Sequence, residues 1–172
     1  MIRQATPHYA RAIAEIHVDA WRSTYKGIVS DEFLENLSYE KRESQWMERF
    51  SDGDNANFVY VVENDYSKVV GFAACGPGRA EELDFDGEIY AIYIAQQYQR
   101  RGYGRELIKA SVAALTDSGI NSMAIWVLED NLPSRRFYES MGGVIIERNI
   151  IPIGGVDLPE VAYGWRCLSA FF

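Results

Sequence analysis

The run Glu88-Ile89-Tyr90-Ala91-Ile92-Tyr93-Ile94 leads, after four linking residues, into Gln99-Arg100-Arg101-Gly102-Tyr103-Gly104. Seven mostly apolar residues with β-branched isoleucines among them predict a strand. The glycine-containing loop then opens a helix predicted over Arg101–Asp117, whose Leu107, Ile108, Val112 and Leu115 fall on one face. A helix start leaves backbone N–H groups without intrahelical partners at the positive end of its dipole, which suits a pyrophosphate. Glycines allow close backbone approach to such an anion. Arg100, Arg101 and Arg105 add positive charge around it. Two other phosphate motifs fail here. A Walker A loop requires Lys-Ser/Thr after its second glycine, where this chain has Arg105-Glu106. A dinucleotide fingerprint requires a third glycine where Leu107 stands.

Outward from that segment, the chain alternates between the two periodicities. On the N-terminal side, Ile2–Ala5 reads as a short strand, and Thr6-Pro7 as an N-cap with proline in the first turn. Ile13, Ile16, Ala20 and Trp21 form a helical apolar stripe, with His17 beside it as a hydrogen-bonded packing residue. Gly27 ends that pattern. Short helices are predicted over Asp31–Leu37 and Tyr39–Phe50, then a loop at Ser51–Asn55. Phe58–Glu63 and Val69–Cys75 read as a hairpin, closed by Gly76-Pro77-Gly78 and followed by the acidic loop Glu81–Asp86. On the C-terminal side, Met123–Leu128 is a strand and Ser134–Met141 a helix stopped by Gly142. Val144–Ile150 and Val161–Leu168 are strands around Pro152, Gly154 and Gly155. The order predicts an α/β domain with one mixed sheet and helices on both faces. The strand–helix–strand unit from Glu88 to Leu128 predicts a parallel, right-handed crossover.

The bulk composition agrees. The chain has 172 residues, of which 48% are hydrophobic and 24% charged. That suits a single soluble domain over 1–172 with its own core. A formal net charge of -8 argues against nucleic acid as a partner, which needs a basic surface, and tilts the choice of small ligands toward cations. Cys75 and Cys167 form no C-x-x-C pair, so no metal site is expected, and Cys75 reads as a small buried hydrophobe. There is no signal-peptide pattern and no apolar run long enough to span a membrane. The expected location is therefore cytoplasmic, with no membrane partner.

Gln99-x-x-Gly102-x-Gly104 after an apolar strand resembles the Q/R-x-x-G-x-G/A signature of the GCN5-related N-acetyltransferase (GNAT) superfamily. Asn131-Leu132-Pro133-Ser134-Arg135-Arg136-Phe137-Tyr138-Glu139-Ser140-Met141-Gly142 is similar to that family's N-x-x-A/S-x-x-F-Y-x-x-x-G-F segment, with Gly143 in place of the last aromatic. The resemblance spans nearly the whole chain. It implies a mostly antiparallel sheet with the acyl-CoA N-acyltransferase fold, acetyl-CoA as co-substrate, and transfer of acetyl to an amine of a small-molecule or peptide acceptor. A homodimer is compatible with it, and Phe171 and Phe172 are free to pack between subunits or tuck back.

It also implies roles. The backbone of the strand at Ile92, Tyr93 and Ile94 would lie along the pantetheine arm, with Ile92 and Ile94 pairing to it. Gln99 and the amides of Arg100, Arg101, Gly102, Tyr103, Gly104 and Arg105 would hold the pyrophosphate, and Asn131, Ser134 and Phe137 would meet the lower arm. An alkylammonium, with a pKa of about 10, must lose a proton before attacking a thioester. Glu88, at the head of the cofactor strand, is the expected general base, with Glu82, Asp84 and Asp86 as weaker candidates. Tyr138 is the expected acid for the leaving thiolate. Trp21, Tyr25, Trp46 and Tyr163 are candidate acceptor-pocket residues as well as core. Among acceptors, the acidic charge favours polyamines and other cationic amines. The competing functional classes are a non-catalytic acetyl-CoA sensor or regulatory module and a nucleotide-phosphate enzyme.

Overall fold

The computed structural model describes residues 1–51, 57–80 and 83–171. Most of the loop expected at Ser51–Asn55 therefore lies outside the described residues, as do the first two positions of the acidic loop. Seven strands form one sheet: β1 (Ile2–Gln4), β2 (Phe58–Glu63), β3 (Val69–Pro77), β4 (Gly87–Ile94), β5 (Met123–Leu128), β6 (Val144–Ile153) and β7 (Val156–Trp165). Their spatial order is β1-β2-β3-β4-β5-β7-β6. Among these seven strands only β4 and β5 run parallel, as the intervening helical crossover dictates. The helices are α1 (Ala10–Thr24), α2 (Asp31–Glu35), α3 (Tyr39–Ser51), α4 (Tyr103–Asp117) and α5 (Leu132–Ser140).

Alternation along the strands assigns the two layers. Val59, Val61, Phe72 and Ala74 pack with Ile13, Ala14 and Ile16 of α1 and Trp46 of α3. Their neighbours Val62, Ala73 and Cys75 face the opposite side, where Leu107, Ile108, Val112 and Leu115 of α4 bury their predicted stripe. Helices therefore cover both faces. Cys75 lies fully buried in this layer, and burial pushes its thiol up to about 11, as befits a packing residue.

Several boundaries differ from the sequence pattern for identifiable reasons. Thr6 makes no side-chain cap; Pro7 opens a single 3-10 turn, Pro7–Tyr9, before α1. The last hairpin is much longer than its turn residues suggest. Strands β6 and β7 pair from Val144↔Gly164 to Ile153↔Val156, so the turn shrinks to Gly154-Gly155, both at positive φ. Pro152 is tolerated within β6 because β6 is an edge strand. Pro159 is tolerated because β5 ends at Leu128↔Glu160, and the Pro159 carbonyl instead accepts from the Glu129 N–H at 2.8 Å. Strand β7 also stops at Trp165, not Leu168. The missing aromatic at Gly143 has a local cause too. A Cβ there would lie 2.6 Å from the ring of Trp165, whose Nε1 donates to the Met141 carbonyl at 2.9 Å. Trp165 thus fills that space from another strand. Phe171 tucks back onto the Trp165 ring at 6.2 Å; Phe172 lies outside the described residues.

His17 packs inside an aromatic cage, 5.0 Å from Tyr93, 5.6 Å from Phe72 and 6.1 Å from Trp46 between ring centroids. The sequence reading of a hydrogen-bonded histidine is not met at Nδ1, which is buried without a partner. Burial first, and the charge of Arg42 second, lower its pKa from 6.5 to about 3. The unfolded chain therefore binds more protons than the folded one between those values. The stabilising contribution is complete above pH 6.5 and is lost as pH falls toward 3. His17→Phe should fold, and its urea midpoint should fall less between pH 7 and pH 5 than that of the parent chain. An equal fall in both would show that His17 does not carry the acid sensitivity.

Candidate active site

The site begins where the sheet parts. Strands β4 and β5 pair only at Gly87↔Met123 and Glu88↔Ala124, then diverge. The amide of Ala95 donates to Val70 on β3 at 2.9 Å. Strand alternation then turns the backbone groups of Ile94 and Ile92 toward the gap. A register shift against β3, where Ala74 faces Ala91 and Cys75 faces Ile89, leaves Tyr90 as a bulge beside that gap. Its hydroxyl donates to the Pro77 carbonyl at 2.6 Å, and Arg49 and Arg79 lie over its ring at 5.0 and 4.4 Å.

The gap widens into a cavity of about 550 Å³. Its wall takes in Ile92, Tyr93, Ile94, Gln99, Arg100, Gly102, Tyr103, Gly104, Arg105, Asn131, Ser134, Phe137 and Tyr138, so one hollow unites the two segments that the sequence singles out. Arg101 is the expected cofactor contact that does not line it; its guanidinium sits 5.5 Å over the Tyr98 ring. Glu88 is also outside the wall.

At the head of the cavity, Gly102 caps α4 at φ +89°, and Arg100 holds φ +62°. No side chain caps α4, and the first intrahelical bond there is Glu106 N–H to the Gly102 carbonyl at 3.2 Å. The preceding amides are open for an anion. Gly104 serves a different need: a Cβ would stand 3.2 Å from the Phe137 ring, so the glycine sets the approach of α4 to α5. Gln99 ties the loop down, its Nε2 donating to the Ile94 carbonyl at 3.1 Å. Asn131 caps α5, its Oδ1 accepting from the Ser134 N–H at 3.3 Å, the usual service of an asparagine at a helix start.

Deeper in, Tyr138 packs against Tyr163 and Trp165 and is 5% exposed. Burial first, then the neighbouring Tyr25, raises its pKa well above the ordinary phenol value, so it keeps its proton at neutral pH. Tyr25, which also lines the cavity, lies against Tyr93 and Asn131. Of the aromatic candidates for an acceptor pocket, Tyr25 is in the cavity wall. Trp21 instead donates from Nε1 to the Tyr93 hydroxyl at 3.0 Å, and Trp46 and Tyr163 are core.

The acidic candidates separate clearly. Both Glu88 oxygens are taken by Arg79, through Nη2 at 2.5 Å and through Nε and the backbone N–H at 3.1 Å each. Asp84 pairs with Arg166 at 3.0 Å, and Asp86 accepts from the Ser122 hydroxyl at 3.2 Å. Glu82 lies outside the described residues. The partner Arg79 was not foreseen, nor were the cavity residues Trp126, Pro133 and Arg136. Arg79 follows Gly78 in a loop with no recognisable pattern, whereas Trp126 sits at an alternate position of a strand whose inner residues were evident. Among the described residues no three metal-ligating side chains cluster, and no helix is long and apolar enough to cross a membrane.

A sheet split at a parallel pair, with an open helix start at its mouth, defines the acyl-CoA-dependent acyltransferase class. The chain matches the Acetyltransferase (GNAT) family over residues 11–143 and belongs to it. It is similar to the uncharacterized N-acetyltransferase YuaI of Bacillus subtilis (strain 168), with 38% identity over 98% of this chain and 94% of that protein. It is more distantly similar to a spermidine N(1)-acetyltransferase of Thermoplasma acidophilum, 22% identical over 82% of this chain and 86% of the relative. Among solved structures, the PaiA N-acetyltransferase of Thermoplasma acidophilum in complex with coenzyme A shares the fold. Its TM-score is 0.74 at 20% identity, covering 93% of this chain and 96% of that one. The protein is an acetyl-CoA-dependent N-acetyltransferase.

Proposed function

We propose that this enzyme moves acetyl directly from acetyl-CoA to the amine of a small acceptor, without a covalent enzyme intermediate. The observation that carries this reading is the continuous cavity from the open amides of α4 to Tyr138. The pyrophosphate sits on the amides of residues 100–105, the pantetheine arm runs along Ile92–Ile94, and Asn131, Ser134 and Phe137 form the opposite wall. The acetyl group then lies where β4 and β5 part. Holding donor and acceptor together there removes much of the entropic barrier. Tyr138, whose protonated hydroxyl makes no hydrogen bond among the described residues, donates to the departing thiolate.

Glu88 was the expected base, but its oxygens are occupied by Arg79, which favours a role in anchoring the 78–80 loop over Tyr90. A small cationic amine, with polyamines foremost, is the proposed acceptor. The net charge of -8 and the spermidine-acetylating relative support that choice. Release of free coenzyme A thiol from acetyl-CoA, measured across polyamines, aminoglycosides, amino acids and peptides, tests it. Polyamine-dependent release is expected. Binding of acetyl-CoA with no release from any amine would favour a sensor module instead.

A further inference from the structure

Glu160 is 9% exposed, and among the described residues its side chain accepts one hydrogen bond, from Asn149 Nδ2 to Oε1 at 3.3 Å. No cation pairs with it among the described residues. Its Oε2 makes no hydrogen bond among them yet is not sealed from solvent, so a mostly buried carboxylate keeps one oxygen open to a cation, where charge withdrawn from water is normally paired. Its position explains what completes it. The register pairs Leu128↔Glu160, Trp126↔Ala162 and Ala124↔Gly164 put these residues on one face of the sheet, and Glu88↔Ala124 extends that face to β4. This is the side away from the α4 layer, whose core takes the intervening Met123, Ile125, Val127, Val161 and Tyr163. Glu160 is thus the diagonal neighbour of Trp126, which forms part of the cavity wall; like Glu88, Glu160 is not itself in that wall. The other carboxylate on this face, Glu88, is already held in an ion pair by Arg79.

We infer that Glu160 binds the ammonium of the acceptor and takes its first proton, an assignment that rests on the acetyl-transfer reading above. The ammonium N–H bond breaks and the proton passes to the Glu160 carboxylate. The freed amine attacks the thioester carbonyl carbon, the C–S bond breaks, and the second amine proton balances the thiolate through Tyr138. Glu160 then returns its proton to solvent, so one proton is released for each amide formed. The carboxylate is suited to this. Burial raises its pKa, the Asn149 hydrogen bond partly offsets that, and the nearby Glu88 charge raises it further. A base whose pKa moves toward neutrality accepts a proton from an ammonium more readily.

The test uses the full chain loaded with coenzyme A, ¹⁵N-labelled at tryptophan, and n-butylammonium chloride as probe. Saturable shifts of the Trp126 indole signal, assigned with Trp126→Phe, are expected in the parent. Glu160→Gln should weaken them at least tenfold while coenzyme A affinity, measured by calorimetry, stays within twofold. With spermidine as acceptor, Glu160→Gln should also cut kcat/KM at least a hundredfold and flatten the acid limb of its pH profile. Glu160→Asp, which keeps the charge, should recover part of the butylammonium affinity. Butylammonium shifts that are absent in the parent, or unchanged in Glu160→Gln, overturn the assignment. Failure of the parent to bind coenzyme A would instead remove the transferase reading on which it rests.

Discussion

Gly104→Glu should lower acetyl-CoA affinity at least a hundredfold, about 2.7 kcal/mol, in a calorimetric titration. Gly104 lies in the first turn of α4 and in the cavity wall, beside the open amides proposed to hold the pyrophosphate. A glutamate there offers its own carboxylate to those amides and repels the phosphates. The fold should tolerate it. The backbone at Gly104 is not left-handed, its Cβ needs only a small shift of the Phe137 ring, and a negative charge near a helix start is favourable. Gly104→Ala, by contrast, should cost little affinity. Gly102→Ala should act through backbone strain, since its Cβ meets nothing but its φ is +89°, a conformation that costs an L-residue energy. Unchanged affinity in Gly104→Glu would displace the phosphates from α4.

Tyr138→Phe should reduce kcat roughly a hundredfold, at the lower end of the range for loss of a general acid, with acetyl-CoA affinity within twofold of the parent. The separation is expected because the ring carries the packing, against Phe137, Tyr163 and Trp165, while the hydroxyl makes no hydrogen bond among the described residues. Phenylalanine keeps the ring and removes only the proton donor. Because burial holds the Tyr138 proton well above neutral pH, the parent should show no loss of activity from this group up to about pH 10. Equal turnover in both proteins, measured by thiol release, would pass the donor role to another group; Tyr25, beside it, is the first to examine.

The half of the site proposed to bind cofactor was legible because it is built from local signals. An apolar strand, two glycines and a helix stripe occupy one continuous stretch, and the cap Asn131 announces the second segment. The acceptor side was not legible, for equally physical reasons. The Arg79–Glu88 pair is made by a loop closing on a strand nine residues later. Glu160 follows Pro159 and falls just before the strand expected from Val161, since the prolines and glycines between Pro152 and Pro159 ordinarily end a strand. That they do not depends on β6 being at the edge and β5 being short, neither of which is encoded nearby. Trp165 filling the space at Gly143 is likewise a contact between distant segments.

The narrow join between β4 and β5 has a consequence for how long the protein survives. Only Gly87↔Met123 and Glu88↔Ala124 link the four-stranded part of the ladder to the three-stranded part. On the proposed reading, acetyl-CoA closes the rest of that seam. A ligand held at a hundred times its dissociation constant adds about 2.7 kcal/mol to global stability. Starved of acetyl-CoA and coenzyme A, the chain should lose that reinforcement, and limited proteolysis should then cleave it sooner. On that reading, the supply of the cofactor would set how long the enzyme persists as well as how fast it works.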